Sequence, residues 1–219
     1  ADQVGLLWGV QHTPYAVGHV PHITAWLLAA MVVAGAVFGW AGKLFADGTH
    51  GLSHVMKKHI AYAPLRPFIG GAVIASVVMW GDFDRYIGLG IPVMVEAFAH
   101  PLAPTDFLGK ALFTIASLGT GFKGGEVTPL FYIGATLGNA LAPLLDVPFA
   151  LLAAVGFVAV FAGAANTPIA STLMAMELFG AEMGVFAALA CVMSYVCSGH
   201  SGIYRAQRVA HRKTDAPSS

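Results

Sequence analysis

Apolar residues along this chain come in long blocks separated by breaks rich in glycine and proline. Residues 1–21 mix glycine, histidine, Pro14 and Pro21 with a few apolar positions and read as a loop or surface segment. Residues 22–45 are apolar almost throughout. At about 1.5 Å of rise per residue, a helix of that length crosses roughly 30 Å of hydrocarbon. Over 47–62 the pattern changes. His50, His54, Lys57, Lys58 and His59 interleave with Leu52, Val55, Met56 and Ile60, as on an amphipathic helix that lies at an interface or carries the first helix into water.

Shorter segments follow. Residues 67–80 are apolar, and Gly70, Gly71, Ala72, Ala75 and Ser76 let a neighbouring helix come close, which predicts a place inside a bundle. Residues 88–98 are too few to span and predict a half-length helix starting at Pro92 and carrying Glu96. Thr105 or Asp106 can cap a helix over 107–118, whose single charge, Lys110, is expected to snorkel near an end. After a glycine break, a helix opens at 126 and runs to about 142. A span from Pro148 to 163 is interrupted by Ala164-Ala-Asn-Thr-Pro168, resumes over 168–179, and is followed by a last hydrophobic helix over 182–196. Irregular backbone at membrane depth persists only where protein or a wet cavity satisfies it, and transporters use such interrupted helices to build ion sites.

Composition agrees. The 219 residues are 57% hydrophobic and 10% charged, against about 25% charged in a soluble domain. The fold class expected is an all-α polytopic membrane protein. A net charge of zero gives no general pull toward nucleic acid. Cys191 and Cys197 lie in an apolar segment and read as packing thiols rather than a disulfide or metal pair. No signal-peptide pattern opens the chain, and a start at Ala1 rather than methionine suggests a fragment or processed form. Arg205, Arg208, Arg212 and Lys213 follow the last helix, so the excess of basic residues predicts a cytoplasmic C-terminus. The organisation expected is a surface segment over 1–21, a membrane domain over 22–204 and a basic tail over 205–219.

Candidate chemistry concentrates in 119–138, where a glycine-rich break runs straight into an apolar helix with Glu126 at the seam. Gly124 and Gly125 relieve side-chain crowding, and Pro129 fits a first helical turn, where its missing N–H is no loss. Such a helix start directs unpaired amides and about +0.5 of a charge at whatever faces it, which suits an anion.

Gly124-Gly-Glu-Val-Thr-Pro-Leu-Phe131 with Ile133-Gly-Ala-Thr-Leu-Gly138 resembles the Gly-Gly-x-Phe-x-Pro element of the CLC chloride channel and antiporter family. Asn166-Thr-Pro-Ile-Ala-Ser-Thr172 with Met176-Glu-Leu178 is similar to a later stretch of that family, and Ser198-Gly-His-Ser-Gly-Ile-Tyr204 falls where the family places an ion-coordinating tyrosine. The resemblance covers the chain from about His22, as the second of the two inverted repeats of a CLC subunit. It implies broken and half-length helices in one inverted-repeat half, homodimers with the final helices near the interface, and a bacterial inner-membrane location. The first repeat's Gly-x-Gly-x-Pro and gating-glutamate elements are not found, so the resemblance implies a missing N-terminal repeat as partner. Gly-Gly-Glu-Val-Thr-Pro is closer to the fluoride/proton antiporter subclass. In that subclass the residue matching Glu126 is implicated in proton transfer and that matching Thr128 in anion contact, while Tyr132 matches an aromatic of the fluoride path. The anion-binding set implied is therefore Glu126, Val127, Thr128, Tyr132 and Tyr204, with halide (fluoride or chloride) and protons as the transported species and no metal or cofactor.

Chemistry of the residues bears on this choice. Fluoride is small and strongly hydrated, so replacing its shell takes close donors such as a threonine hydroxyl, a phenol and backbone amides. Glu126 also suits a first-turn carboxylate that complements the helix dipole, and Thr128 a hydroxyl that bonds back into its own helix. Tyr204 also suits an interfacial anchor beside a basic tail. Glu96 and Lys110 read as satisfied polar positions, Glu177 as structural and Phe131 as packing. The alternatives in function are a chloride/proton antiporter, a passive chloride channel, or a non-transporting fragment. Ser198 or Ser201 with His200 lie too close in sequence to align as a hydrolase site. His50 and His54 are spaced for one helix face but lack a third metal ligand nearby.

Overall fold

A computed structural model describes residues 15, 17–18, 20–81, 83–200, 202–204 and 207. Its elements in chain order are α1 (Ala25–His59), α2 (Leu65–Trp80), a 3-10 turn (Asp84–Tyr86), α3 (Ile91–Ala99), α4 (Asp106–Thr120), α5 (Val127–Leu145), α6 (Phe149–Ala165), α7 (Pro168–Phe179), a second 3-10 turn (Ala181–Met183) and α8 (Gly184–Cys197). No strand occurs among the described residues. The expectation of an all-α chain with broken and half-length helices holds.

The first helix decides between the two readings of 47–62. It runs unbroken for 35 residues, so the amphipathic stretch is its continuation and not a separate surface helix. Thr24 starts it by accepting the Leu27 N–H, and Lys57, Lys58 and His59 occupy its last turn, where cations complement the carbonyl end. By length and hydropathy, α1 and α5 suffice to cross a bilayer, while α2, α6 and α7 are shorter apolar helices.

At the centre lies α6. It is apolar on every side, and from Leu151 to Ala165 all but Phe161 are buried. Such a helix is stable only when neighbours cover it completely. α1, α3, α5, α7 and α8 supply that cover. The tightest contact is with α5, where Gly134 faces Gly156 and Gly138 faces Leu152. A Cβ on any of these three glycines would run into the opposite main chain. Close backbone approach through small residues is how helices pack where lipid offers no hydrophobic drive. α8 meets α1 in the same way, with Gly35 and Gly39 against Ala190 and Ser194.

Three expectations change. α2 is not inside the bundle. Among its residues only Gly70 is buried, against Thr120, while Phe68, Val73, Met79 and Trp80 are exposed, Trp80 at 94%. Its small residues serve one crossing with α4 and leave the other faces outward. Asp106 does not cap α4, because its carboxylate accepts from Arg85 Nη2 and from the Tyr86 hydroxyl, each at 2.8 Å, and Thr105 makes no capping bond either. Lys110 does not snorkel. It is 2% exposed and donates to the carbonyls of Tyr86 at 3.0 Å and Gly88 at 2.7 Å. Those loop carbonyls have no helical partner, and the ammonium meets their need where water is scarce.

Candidate functional site

Glu126 stands at the N-cap position of α5 with φ −92 and ψ −17, and its side chain makes no capping bond. Glu126, Val127, Thr128 and Pro129 are each half-buried, and the chain closes over them at Leu130. Thr128 is the second residue of α5, with no helical carbonyl four residues behind it. Thr114, Thr136 and Thr172 spend their hydroxyls on such carbonyls at 2.8–2.9 Å. The back-bonding reading of Thr128 therefore fails on position: four residues before it lies the glycine break.

The register of α5 against α6 sets what else lies at this level. The two helices run antiparallel, with Gly134 opposite Gly156 and Gly138 opposite Leu152. Phe131 stacks on Phe157 with centroids 4.2 Å apart and meets Phe161 edge-on at 5.4 Å. Carried back toward the start of α5, the same register sets Thr128 level with Ala162 and Glu126 level with Ala164. There α6 ends. Asn166 turns the chain with φ 57, in the left-handed region that asparagine tolerates better than most residues, and α7 starts at Pro168. The starts of α5 and α7 thus lie at one end of α6, both with amides that no helix turn satisfies.

Tyr204 reaches the same place from the C-terminus. The N–H of Ile203 donates to Ala164 O at 2.9 Å, which docks the tyrosine's backbone on the α6–α7 break. The residue is 46% exposed. Glu126, Val127 and Thr128 by the register of α5, and Tyr204 by the bond of its neighbour Ile203, thus lie toward the same end of α6.

Tyr132 faces elsewhere. It is wholly buried, its ring lies under Lys110 Nζ at 5.1 Å from the centroid, and its hydroxyl makes a long 3.4 Å contact to Arg85 O. It joins the start of α5 to the Arg85–Asp106–Lys110 cluster. A cleft of about 480 Å³ runs beside that cluster from Tyr86 and Lys110, past Thr114 and Ser117, to Gly124, Gly125 and Pro129. Glu96 and Glu177 are exposed on α3 and α7. His50 gives Nε2 to Gly202 O at 3.0 Å, and His54 is exposed. Residues 205, 206 and 208–219, which carry the basic tail, lie outside the described residues, as do 1–14 and Ser201.

One residue of the framework escaped sequence reasoning. Asn139, buried in α5, accepts from Leu102 N at 2.9 Å and donates to Ala97 O at 2.8 Å and His100 O at 2.7 Å. It satisfies the backbone where α3 ends. A lone polar residue amid Gly138-Asn-Ala-Leu was the available signal.

Two helix starts and the backbone beside Tyr204 thus lie toward one end of a buried central helix, within a bundle of interrupted apolar helices. The chain belongs to the voltage-gated chloride channel (CLC) family, whose description matches residues 1–199. It is 61% identical over 224 residues to the chloride/fluoride channel protein of Pseudomonas syringae pv. tomato, an alignment covering 99% of this chain and 49% of that protein. The putative chloride channel protein ClcB-like of Ralstonia nicotianae is 28% identical over 204 residues, 86% of this chain and 46% of its own. A solved structure described as a CLC-type fluoride/proton antiporter matches with a TM-score of 0.86 at 30% identity, over 93% of this chain and 52% of its own. The chain spans about half the length of the relatives it matches.

Proposed function

We propose that this chain is the second, C-terminal inverted repeat of a proton-coupled fluoride exporter. The observation that carries the reading is that the α5 start, with Glu126 and an uncommitted Thr128 hydroxyl, lies level with the α6–α7 break on which the Tyr204 segment is docked. The Pseudomonas relative named for chloride and fluoride, and the structural match to a fluoride/proton antiporter, support it.

In this reading the anion lies before the helix starts, where the amides of Val127 and Thr128 and the hydroxyls of Thr128 and Tyr204 replace its water. Close hydroxyl donors favour fluoride, whose hydration shell is hard to replace. Glu126 changes charge as the proton passes, since a carboxylate at membrane depth is costly unless it has a partner or a use. Tyr132 supports the α5 start from below rather than offering its hydroxyl. The other half of the pathway, with the gating carboxylate, comes from the N-terminal repeat. The protein works as a homodimer in the bacterial inner membrane through the exposed apolar faces of α7 and α8, with the C-terminal tail in the cytoplasm.

Halide efflux from liposomes containing the intact protein tests the choice of ion. Fluoride efflux well above chloride efflux is expected, and Thr128→Ala should narrow the ratio by about fivefold, the worth of one hydrogen bond of about 1 kcal/mol. An unchanged ratio removes Thr128 from the site. Chloride efflux equal to or above fluoride favours the second reading, a chloride/proton antiporter or passive chloride channel, which the name of the Ralstonia relative supports. The chain transporting nothing on its own would agree with half a pathway.

A further inference from the structure

The segment carrying Tyr204 has no helix or strand of its own over 202–204 and is held from outside. On one side it is tied to the α6–α7 break. Ile203 donates to Ala164 O at 2.9 Å and buries its side chain to 6% exposure. Beyond the tyrosine, Gln207 Nε2 donates to Ala165 O at 3.1 Å, and Gln207 Oε1 accepts from Asn166 Nδ2 at 3.3 Å. Gly202 lies so close to the break that a Cβ there would come within 2.7 Å of Asn166 Nδ2.

The other tether comes from far along the chain. Gly202 O is 3.0 Å from Nε2 of His50, on α1 and 152 residues away. A carbonyl can only accept, so this nitrogen carries the proton. With the residue 46% exposed, Tyr204 takes its position from its backbone more than from packing. The ties to the α6–α7 break hold one side of the segment, and the bond from α1 adds a second, separate attachment.

We propose that His50 is a positioning residue for Tyr204, donating through Nε2 to the Gly202 carbonyl and so setting where the phenol stands relative to the starts of α5 and α7. The inference rests on the proposed role of Tyr204 as an anion donor. Fluoride, which needs short contacts, loses more than chloride when a donor is displaced.

The test is the fluoride-to-chloride efflux ratio of the intact protein in liposomes, for the parent and for Tyr204→Phe, His50→Leu, His50→Asn and His50→Gln. Misfolding lowers both fluxes together and leaves the ratio alone, so the ratio reports position and not yield. Expected is a fall of about fivefold in Tyr204→Phe, the worth of one hydrogen bond, and a similar fall in His50→Leu. His50→Gln, whose amide reaches the place of Nε2, should return to within about twofold of the parent, whereas the shorter His50→Asn should not. If His50→Leu yields no folded protein, His50→Asn against His50→Gln decides alone. A parental ratio in the Leu and Asn variants, with Tyr204→Phe altered, overturns the positioning role and leaves the transport reading standing. A parental ratio in Tyr204→Phe removes the tyrosine from the anion site and the inference with it.

Discussion

Asp106 and Lys110 show how charge is kept where water is scarce. Asp106 is buried between Arg85 and the Tyr86 hydroxyl, and Lys110 closes the carbonyl ends of the loop that follows. Removing one partner of a buried pair strands the other, at a cost of several kcal/mol. Arg85 is 38% exposed and recovers some hydration, so the lower end applies. Asp106→Ala should therefore lower stability by about 3 kcal/mol. Asp106→Asn, which keeps an acceptor, should cost clearly less. Thermal unfolding of the detergent-solubilised protein checks both, and equal midpoints for Asp106→Ala and the parent would show that the pair holds nothing. At this scale the sequence marked the residues but not their partners. Lys110 was visible as a lone charge in an apolar helix, yet nothing in its neighbours along the chain shows that Tyr86 and Gly88, across a turn and another helix, need its protons.

Among the elements, α5 and α6 carry the arrangement on which the site depends. Their register is set by Gly134, Gly138 and Gly156, and it is this register that puts Glu126 and Thr128 beside the end of α6. Gly134→Val forces a side chain against the Gly156 carbonyl, a contact with rigid backbone that cannot give way. Overpacking of this kind costs about 1–3 kcal/mol, and here it also spreads the two helices. The variant should lose both thermal stability and halide flux, while Gly51→Ala, at an open position on α1, should lower neither. Equal loss in the two variants would contradict the close-approach account.

Helix existence was legible at this scale because proline, glycine and apolar runs act locally. The half-length α3 with Pro92 in its first turn, and the break at Ala164 to Pro168, lie where the pattern puts them. Burial was less legible. Small residues in α2 promised a bundle interior, but a small-residue stripe serves a single crossing and says nothing about the remaining faces.

For the whole molecule, an apolar exterior and a polar seam belong to one design. Long apolar side chains face outward on α1, α2, α7 and α8, including Trp40, Phe68, Ile169 and Val192, as a surface meeting lipid or other protein requires. Glu126, Thr128 and the backbone beside Tyr204 lie toward one end of α6. Sequence motifs located that seam because glycine, glutamate, threonine and proline in that order have a defined effect on a helix start. The place of the Tyr204 segment rests on bonds to Ala164 and His50, distant in sequence, which no local pattern encodes.

The central claim is that fluoride movement is coupled to protons through Glu126. Its most direct measurement is pH inside liposomes that contain the intact protein and carry an outward fluoride gradient, for the parent and for Glu126→Gln, with fluoride efflux recorded in parallel. The account predicts proton uptake driven by fluoride in the parent and its loss in Glu126→Gln, which keeps the size of the side chain and removes the titrating group. Proton uptake that is the same in both proteins would contradict it.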